Sequence, residues 1–324
     1  ALGLTDSTRL AIELDPRLIG DGDVARLAGL GFTRMSLGVQ DFNPEVQAAI
    51  YRIQSFDLIE AAVSEMRRAG VDDVSFDLLY GLPEQTIAGF AETIEKTIAL
   101  SPDRVAVFGY AHLPDVTPRQ RLIDETALPS EDLRAELAAA ADERLVAAGY
   151  RRIGFDHYAK PDNLLARAES EGRLRRNFQG FTDDPADTAL GVGASAISFV
   201  GGLYAQNDKI LRDYYQRIES GTLATARGLV VSPKEARIGR TIHDILCRSK
   251  ADVADLLDAL SPSEANAVCR RLDQLEADGV ISWEGDFIAL APDARVLSRV
   301  VAAALDPCER VSLDRPAHSF TRAV

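Results

Sequence analysis

Three polar side chains stand where a strand would ordinarily be apolar. Glu13 in RLAIELDP, Gln40 in TRMSLGVQDFN and Asp77 in DVSFDLLYGLP each lie within, or at the last position of, a short hydrophobic run. A carboxylate or amide so placed must find hydrogen-bonding partners, because burial without them costs roughly 1–3 kcal/mol. An adenosine ribose, or the ammonium and carboxylate of an amino acid, would supply them. Arg52 follows a helix start marked by Asn43, Pro44 and Glu45. At the end of that helix its guanidinium either complements the helix dipole or forks a carboxylate. His112 and His157 are readable as ligands or bases, or as satisfied structural histidines. Arg175 and Arg176, followed by Asn177 and Gln179, offer donors to a polyanion or are a solvated charged surface. Asp15 before Pro16, Asn43 before Pro44 and Asp162 before Asn163 fit turn-forming roles. No H-E-x-x-H, P-loop or nucleophile elbow is present, so no catalytic residue and no metal ligand is singled out.

The elements that must position these groups alternate. DRVAVFGYAHLP and YRRIGFDHYAKPDN repeat the pattern of a short β-branched or aromatic run ending in polar and turn residues. Between the runs, Ser55–Ala69 places Ile59, Ala62, Val63 and Met66 on one helical stripe. Thr86–Leu100 does the same with Phe90, Ile94 and Ile98, and Ser130–Ala148 with Leu133, Leu137, Ala141 and Leu145. Strand–helix alternation of this kind predicts parallel strands with covering helices, in a sheet or barrel whose ligands sit at the carboxyl ends of the strands. Gln40 and its counterparts then converge on one end of one sheet.

The character changes after about residue 205. Helical patterns at Glu235–Cys247, in SPSEANAVCRRLDQLEADGV and at Pro292–Leu305 flank a hairpin in ISWEGDFIAL, turning at Gly285 and Asp286. This predicts a winged-helix-like module. The expected division is therefore residues 1–205 and 206–324. Gly191, Gly193, Gly201 and Gly202, in LGVGASAISFVGGLYAQN, would permit close approach of backbone to a ligand.

The chain has 324 residues, 46% hydrophobic and 27% charged, as expected of a soluble globular protein with a sizeable core. A net charge of −14 argues against nucleic acid as a partner, which requires a basic face. No run is long and apolar enough to span a bilayer and no signal-peptide pattern is present, so a cytoplasmic protein without membrane contact is expected. Cys247, Cys269 and Cys308 are widely spaced and read as reduced thiols.

In order along the chain, IELDP, RMSLGVQDFNPEVQ, FDLLYGLPEQT, YAHLP, FDHYAKPD, NFQGFT, GASAIS, YAQN and the tail HSFTRAV resemble the oxygen-independent coproporphyrinogen III oxidases. These are radical S-adenosylmethionine (SAM) enzymes of haem biosynthesis. The resemblance runs from about residue 8 to the carboxyl end. It implies an α/β fold: an incomplete parallel (βα) barrel of the radical SAM type, here lacking its first strand, plus a mainly helical C-terminal domain. It also implies oxidative decarboxylation of two propionates of coproporphyrinogen III to vinyl groups, giving protoporphyrinogen IX. An electron donor and an acceptor are then required, and a monomer is expected.

By the same resemblance, Glu13, Gln40, Arg52, Asp77 and Ala111 match positions that hold SAM, Ala111 through its backbone. Ile197 and Gln179 match positions near the cofactors, and the family accommodates a second SAM. The chain departs from the family at two places. Tyr51 stands where the family has asparagine. The C-x-x-x-C-x-x-C motif that holds the family's [4Fe–4S] cluster is absent, as no cysteine precedes Cys247. The resemblance therefore implies a fragment whose cluster ligands lie upstream of Ala1. Such a chain is expected to be inactive by itself, and aggregation-prone or loosened around residues 8–40. Two alternatives are a haem-binding trafficking relative of the same superfamily and a cluster-less binding paralogue. The loop RNFQGFT lacks the histidine-asparagine start and tyrosine-tryptophan end that mark the trafficking group.

Overall fold

Strict alternation in Phe32–Gln40 decides which way this strand faces. Met35, Leu37 and Val39 are fully buried, whereas Arg34, Ser36, Gly38 and Gln40 between them are only half-buried. Phe76, Val74 and Leu78 repeat the pattern in the next strand, with Asp73, Ser75 and Asp77 on the opposite face. The apolar face packs under helices; the polar face is turned to the other side of the sheet.

The computed structural model describes Thr5 and residues 7–307. They form two units that divide between Arg167 and Ala168. In the first, β1 (Leu10–Leu14), β2 (Phe32–Gln40), β3 (Asp73–Tyr80) and β4 (Arg104–Gly109) pair in that order and in parallel. The connecting helices are α1 (Asp23–Gly29), α2 (Pro44–Ala49), α3 (Phe56–Arg68) and α4 (Ile87–Leu100). A fifth helix, α5 (Glu131–Ala147), follows the long loop after β4. Their stripes are those read from the sequence: Ile59, Val63 and Met66 of α3, Phe90 and Ile94 of α4, and Leu137, Ala141 and Leu145 of α5 close one core with the buried faces of β2, β3 and β4. Ser55, Thr86 and Ser130 cap α3, α4 and α5 by accepting a backbone N–H of the first turn.

YRRIGFDHYAKPDN departs from expectation. It is an antiparallel hairpin, β5 (Arg151–Ile153) and β6 (His157–Ala159), with β6 antiparallel to β4. Gly154, at φ +59°, permits the reversal that a continuing strand would not contain. The turn is fastened to β4 where the Val107 amide donates to the Asp156 carbonyl at 2.8 Å. His157 is thereby delivered opposite Ala106, toward the carboxyl end of β4. The sheet is parallel through its first four strands and antiparallel in its last two.

The division falls within α6 (Leu164–Ser170), earlier than expected. The reason is pairing. β9 (Ile197–Val200) and β10 (Leu203–Asn207) form one sheet with β11 (Thr225–Val230), so a cut after residue 205 would pass through a strand. β7 (Arg175–Asn177) and β8 (Gly180–Thr182) form a separate hairpin, and α7 (Leu211–Glu219) lies between β10 and β11. The second unit is therefore richer in strands than the expected mainly helical domain.

The winged-helix-like part of this unit comprises α8 (Pro233–Arg248), β12 (Lys250–Asp252), α9 (Ala254–Ala259), α10 (Pro262–Ala277), β13 (Ile281–Glu284), β14 (Phe287–Leu290) and α11 (Ser298–Leu305). Reciprocal Ser232–Glu235 and Ser261–Glu264 capping boxes, each with proline in the first turn, start α8 and α10. Ile245, Leu256, Val268, Leu272, Ile288 and Val301 form its core. Cys308 and the HSFTRAV segment lie outside the described residues.

Candidate functional site

Where β2 ends, the chain makes an abrupt left-handed turn. Gln40 has φ +67°, and the β2–β3 register slips between Gly38 and Gln40. Glutamine rarely adopts this conformation, so the turn must be held by its surroundings. The holding group is Asp41, 1% exposed. Its Oδ1 accepts from Thr93 Oγ1 at 2.6 Å and from the Asn43 amide at 2.7 Å; its Oδ2 accepts from Gln85 Nε2 at 2.6 Å. Burial pushes the Asp41 carboxyl above its ordinary value despite these donors.

A second anchor arrives from after α2. The helix stops at Ala49, and Tyr51 takes φ +56°, so Arg52 lies beyond the helix end rather than in it. Left-handed geometry accommodates asparagine better than tyrosine, a physical reason for the family's usual residue there. Arg52 Nη2 donates to the Gly38 carbonyl at 2.9 Å, and Nη1 to Asp15 Oδ2 at 3.1 Å. Asp15 also accepts from Arg17 Nη2 at 2.7 Å, and that hydrogen bond, with the nearby guanidinium charges, holds its carboxyl down to about 2. Burial pulls Arg52 below its ordinary value, and Asp15 opposes that. Arg52 Nε is buried without a partner, as is Gln54 Oε1, whose amide nitrogen donates to the Gly38 and Val39 carbonyls.

Gly38 makes this approach possible. A Cβ there would sit 2.8 Å from Gln40 Nε2 and 3.1 Å from Arg52 Nη2. Gly38 pairs with Asp77 across the β2–β3 ladder, and Asp77 with Ala106. Ser36 Oγ donates to Asp77 Oδ2 at 3.1 Å. Burial raises the Asp77 carboxyl; the nearby Glu13 charge adds to the rise and His157 opposes it. Glu13, Gln40 and Asp77 therefore lie on three neighbouring strands, β1, β2 and β3, and Arg52, from beyond α2, reaches the Gly38 carbonyl of β2; His157 is on the same cross-strand row as Asp77. This arrangement combines two carboxylates, an amide and a guanidinium, the set that suits a ligand carrying hydroxyl, ammonium and carboxylate groups together.

The remaining expected residues lie elsewhere. Ala111 follows β4 in the loop, where its carbonyl accepts from Gln120 Nε2 at 3.0 Å. Gln179 is in the β7–β8 turn and Ile197 opens β9, both in the second unit. His112 is satisfied locally: Nδ1 is 3.0 Å from Tyr110 Oη and Nε2 is 3.0 Å from Glu125 Oε1. His157 Nδ1 is 2.6 Å from Asp156 Oδ1. Sequence reasoning missed Asp15, Ser36, Gly38 and Gln54. Period-two parity with Gln40 along the strand points to Ser36 and Gly38; no local signal marks Gln54.

Asp77 provides a stability test of this environment. Its folded pKa is raised, so its contribution is fully present below the unfolded value of about 4 and is lost as pH rises through the folded pKa. Asp77→Asn removes that loss and keeps an oxygen for Ser36. At pH 7 the variant is expected to melt about 2–4 °C higher, a gain that vanishes below about pH 4 in a calorimetric pH series.

Comparisons with known proteins bear on the family of the chain. A family model of the Radical SAM superfamily matches residues 4–97. The oxygen-independent coproporphyrinogen III oxidase of Bradyrhizobium diazoefficiens is 43% identical over 303 residues, 93% of this chain and 67% of that protein. Its namesake in Synechocystis is 36% identical, covering 94% of this chain and 67% of that protein. A solved structure of the Escherichia coli coproporphyrinogen III oxidase, described as a radical SAM enzyme, superposes with a TM-score of 0.86 at 36% identity, covering 92% of this chain and 69% of that one. No described helix is long and apolar enough to cross a membrane. Identity and superposition of this extent, over nearly the whole chain, mean that it belongs to the oxygen-independent coproporphyrinogen III oxidase family of the radical SAM superfamily.

Proposed function

We propose that this chain is the SAM-holding and substrate-holding part of an enzyme that converts coproporphyrinogen III to protoporphyrinogen IX. Two propionates each lose carbon dioxide, one hydrogen atom and one electron, leaving vinyl groups. Radical SAM proteins use SAM together with a [4Fe–4S] cluster. The single observation that carries the SAM assignment is the orphaned, buried Nε of Arg52, whose Nη2 lies against Gly38 beside Gln40. A buried guanidinium with an unused donor is costly unless a ligand acceptor completes it.

Arg52 would hold the SAM carboxylate, already oriented by Asp15 and the Gly38 carbonyl. Glu13 and Asp77 would accept from the ribose hydroxyls or the ammonium, and the Gln40 amide can donate or accept. Ala111, Gln179 and Ile197 are proposed as further contacts, to this SAM or to a second. Bound SAM supplies the hydrogen-abstracting power of the reaction. The residues' own contribution is to fix its orientation and exclude water.

The described residues do not fit the cluster. No group of three or more His, Cys, Asp or Glu side chains among them could hold a metal, and Cys247 and Cys269 are free thiols of the second unit.

The test is anaerobic incubation of SAM, a low-potential reductant, an electron acceptor and coproporphyrinogen III with a cluster-loaded protein in which this chain is joined to a C-x-x-x-C-x-x-C segment. The expected result is two molecules of carbon dioxide per protoporphyrinogen formed. Stoichiometric haem binding without decarboxylation would instead favour the trafficking reading.

A further inference from the structure

Helix α2 ends in a motif that ordinarily calls for glycine. The Arg52 amide donates to the Gln47 carbonyl at 2.8 Å, and the Tyr51 amide to the Ala48 carbonyl at 3.1 Å. Together these hydrogen bonds are the Schellman pattern, and its left-handed position falls on Tyr51, at φ +56°. Glycine meets no steric penalty in that conformation and asparagine little; tyrosine meets the full one. Burial does not offset it, because Tyr51 is 67% exposed. Strain kept by an exposed residue points to a duty for its side chain.

That side chain reaches another loop. Tyr51 Oη donates to the Leu122 carbonyl at 3.4 Å, at the end of a short 3-10 helix (Pro118–Leu122) in the connection after β4. This helix is itself tied down. Gln120 Nε2 donates to the Ala111 carbonyl at 3.0 Å, and Gln120 Oε1 accepts from the Leu113 amide at 2.5 Å. The Leu122 carbonyl is therefore a held point to brace against. On the other side of Tyr51, Gln47 is held too: its Nε2 donates to the Asp41 carbonyl at 2.8 Å and its Oε1 accepts from the Gln54 amide at 3.0 Å. Arg52 starts between these fixed groups. The turn at Tyr51 sets the direction in which its side chain leaves for the Gly38 carbonyl and Asp15.

We infer that Tyr51 is a positioning residue: braced on the Leu122 carbonyl, it holds the left-handed turn that aims Arg52. The inference rests on the reading that Arg52 receives the SAM carboxylate, and deepens it by naming what keeps the guanidinium in place. Tyr51 touches no ligand itself. Its effect is therefore confined to ligands that carry the carboxylate.

The probes are SAM and decarboxylated SAM, which lacks only the carboxylate. Their affinities are measured by equilibrium dialysis with the same cluster-loaded protein, this chain joined to a C-x-x-x-C-x-x-C segment, and melting temperatures are recorded for every variant. Tyr51→Phe keeps the ring and removes Oη; it is expected to weaken SAM binding about threefold. Tyr51→Ile, β-branched and poorly suited to a left-handed backbone, is expected to weaken it about tenfold. Tyr51→Asn tolerates the turn without a brace and is expected to recover most of the affinity that Tyr51→Phe loses. With decarboxylated SAM all three are expected to lie within about twofold of the parent, since Arg52 then has no carboxylate to meet. The side chain is exposed, so Tyr51→Phe folds as the parent does. SAM affinity equal to the parent's in both Tyr51→Phe and Tyr51→Ile overturns the inference and leaves the role of Arg52 intact. Equal losses for the two ligands, tracking a fall in melting temperature, also overturn it, because the turn would then serve stability alone. Arg52→Ala is the control: if it weakens both ligands equally, the carboxylate reading itself falls, and the inference with it.

Discussion

Gly38→Ala is expected to lower SAM affinity about thirty- to hundredfold while leaving the melting temperature unchanged or slightly raised. The new methyl carbon would lie 2.8 Å from Gln40 Nε2 and 3.1 Å from Arg52 Nη2. Both neighbours are the far ends of flexible side chains, so they give way cheaply and the strand survives. Alanine also suits a strand interior better than glycine, by roughly 0.5 kcal/mol. What is lost is the position of two groups of the proposed SAM site at once, one of them charged. A charge-assisted hydrogen bond contributes about 1.5–3 kcal/mol, and a neutral one about 1 kcal/mol. Equilibrium dialysis with labelled SAM, beside a thermal melt, separates the two effects. Parent-like affinity in this variant would remove Gln40 and Arg52 from the cofactor site.

Asp41→Ala is expected to behave in the opposite sense, costing about 3 kcal/mol of stability. Truncation strands the Asn43 amide, leaves the Thr93 hydroxyl without its acceptor and strips Gln85 of one of its two, all in a buried place. A urea transition followed by far-ultraviolet circular dichroism should shift down by about 1 M. The Gln40 turn depends on this carboxylate, so ligand affinity falls with it. An unshifted midpoint would show that the network is ornamental. The contrast between the two variants distinguishes the group that shapes the turn from the opening that lets the Gln40 and Arg52 side chains in.

Much of the first unit was legible because its signals are local. Helical stripes such as Ile59, Val63 and Met66 and caps such as Ser55 need only nearest turns to be read, and they fell where expected. The convergence of Glu13, Gln40 and Asp77 followed from parallel strands sharing a carboxyl end. What escaped was set by distant pairings. The hairpin at Arg151–Ala159 resembles a single strand until the glycine at φ +59° is known. The boundary near residue 205 failed because β10 is completed by a strand that arrives eighteen residues later. Asp15 reads as a turn former, and it is one, accepting from the Arg17 amide; its hold on Arg52 depends on a contact 37 residues away that no spacing rule encodes. Tyr51 stood out as a departure from the family, and its left-handed backbone supplies the physical content of that departure.

The two-residue rhythm of β2 has an evolutionary corollary. Its inward set and its outward set are interleaved one for one, so chemistry at the mouth can be retuned by exchanging Ser36 or Gln40 without disturbing the packing of Met35, Leu37 or Val39. A single-residue insertion or deletion within the strand has no such freedom: it would turn the packing side chains outward and bury the polar ones. Descendants of this chain can therefore diversify here by substitution, while the length of the segment stays locked.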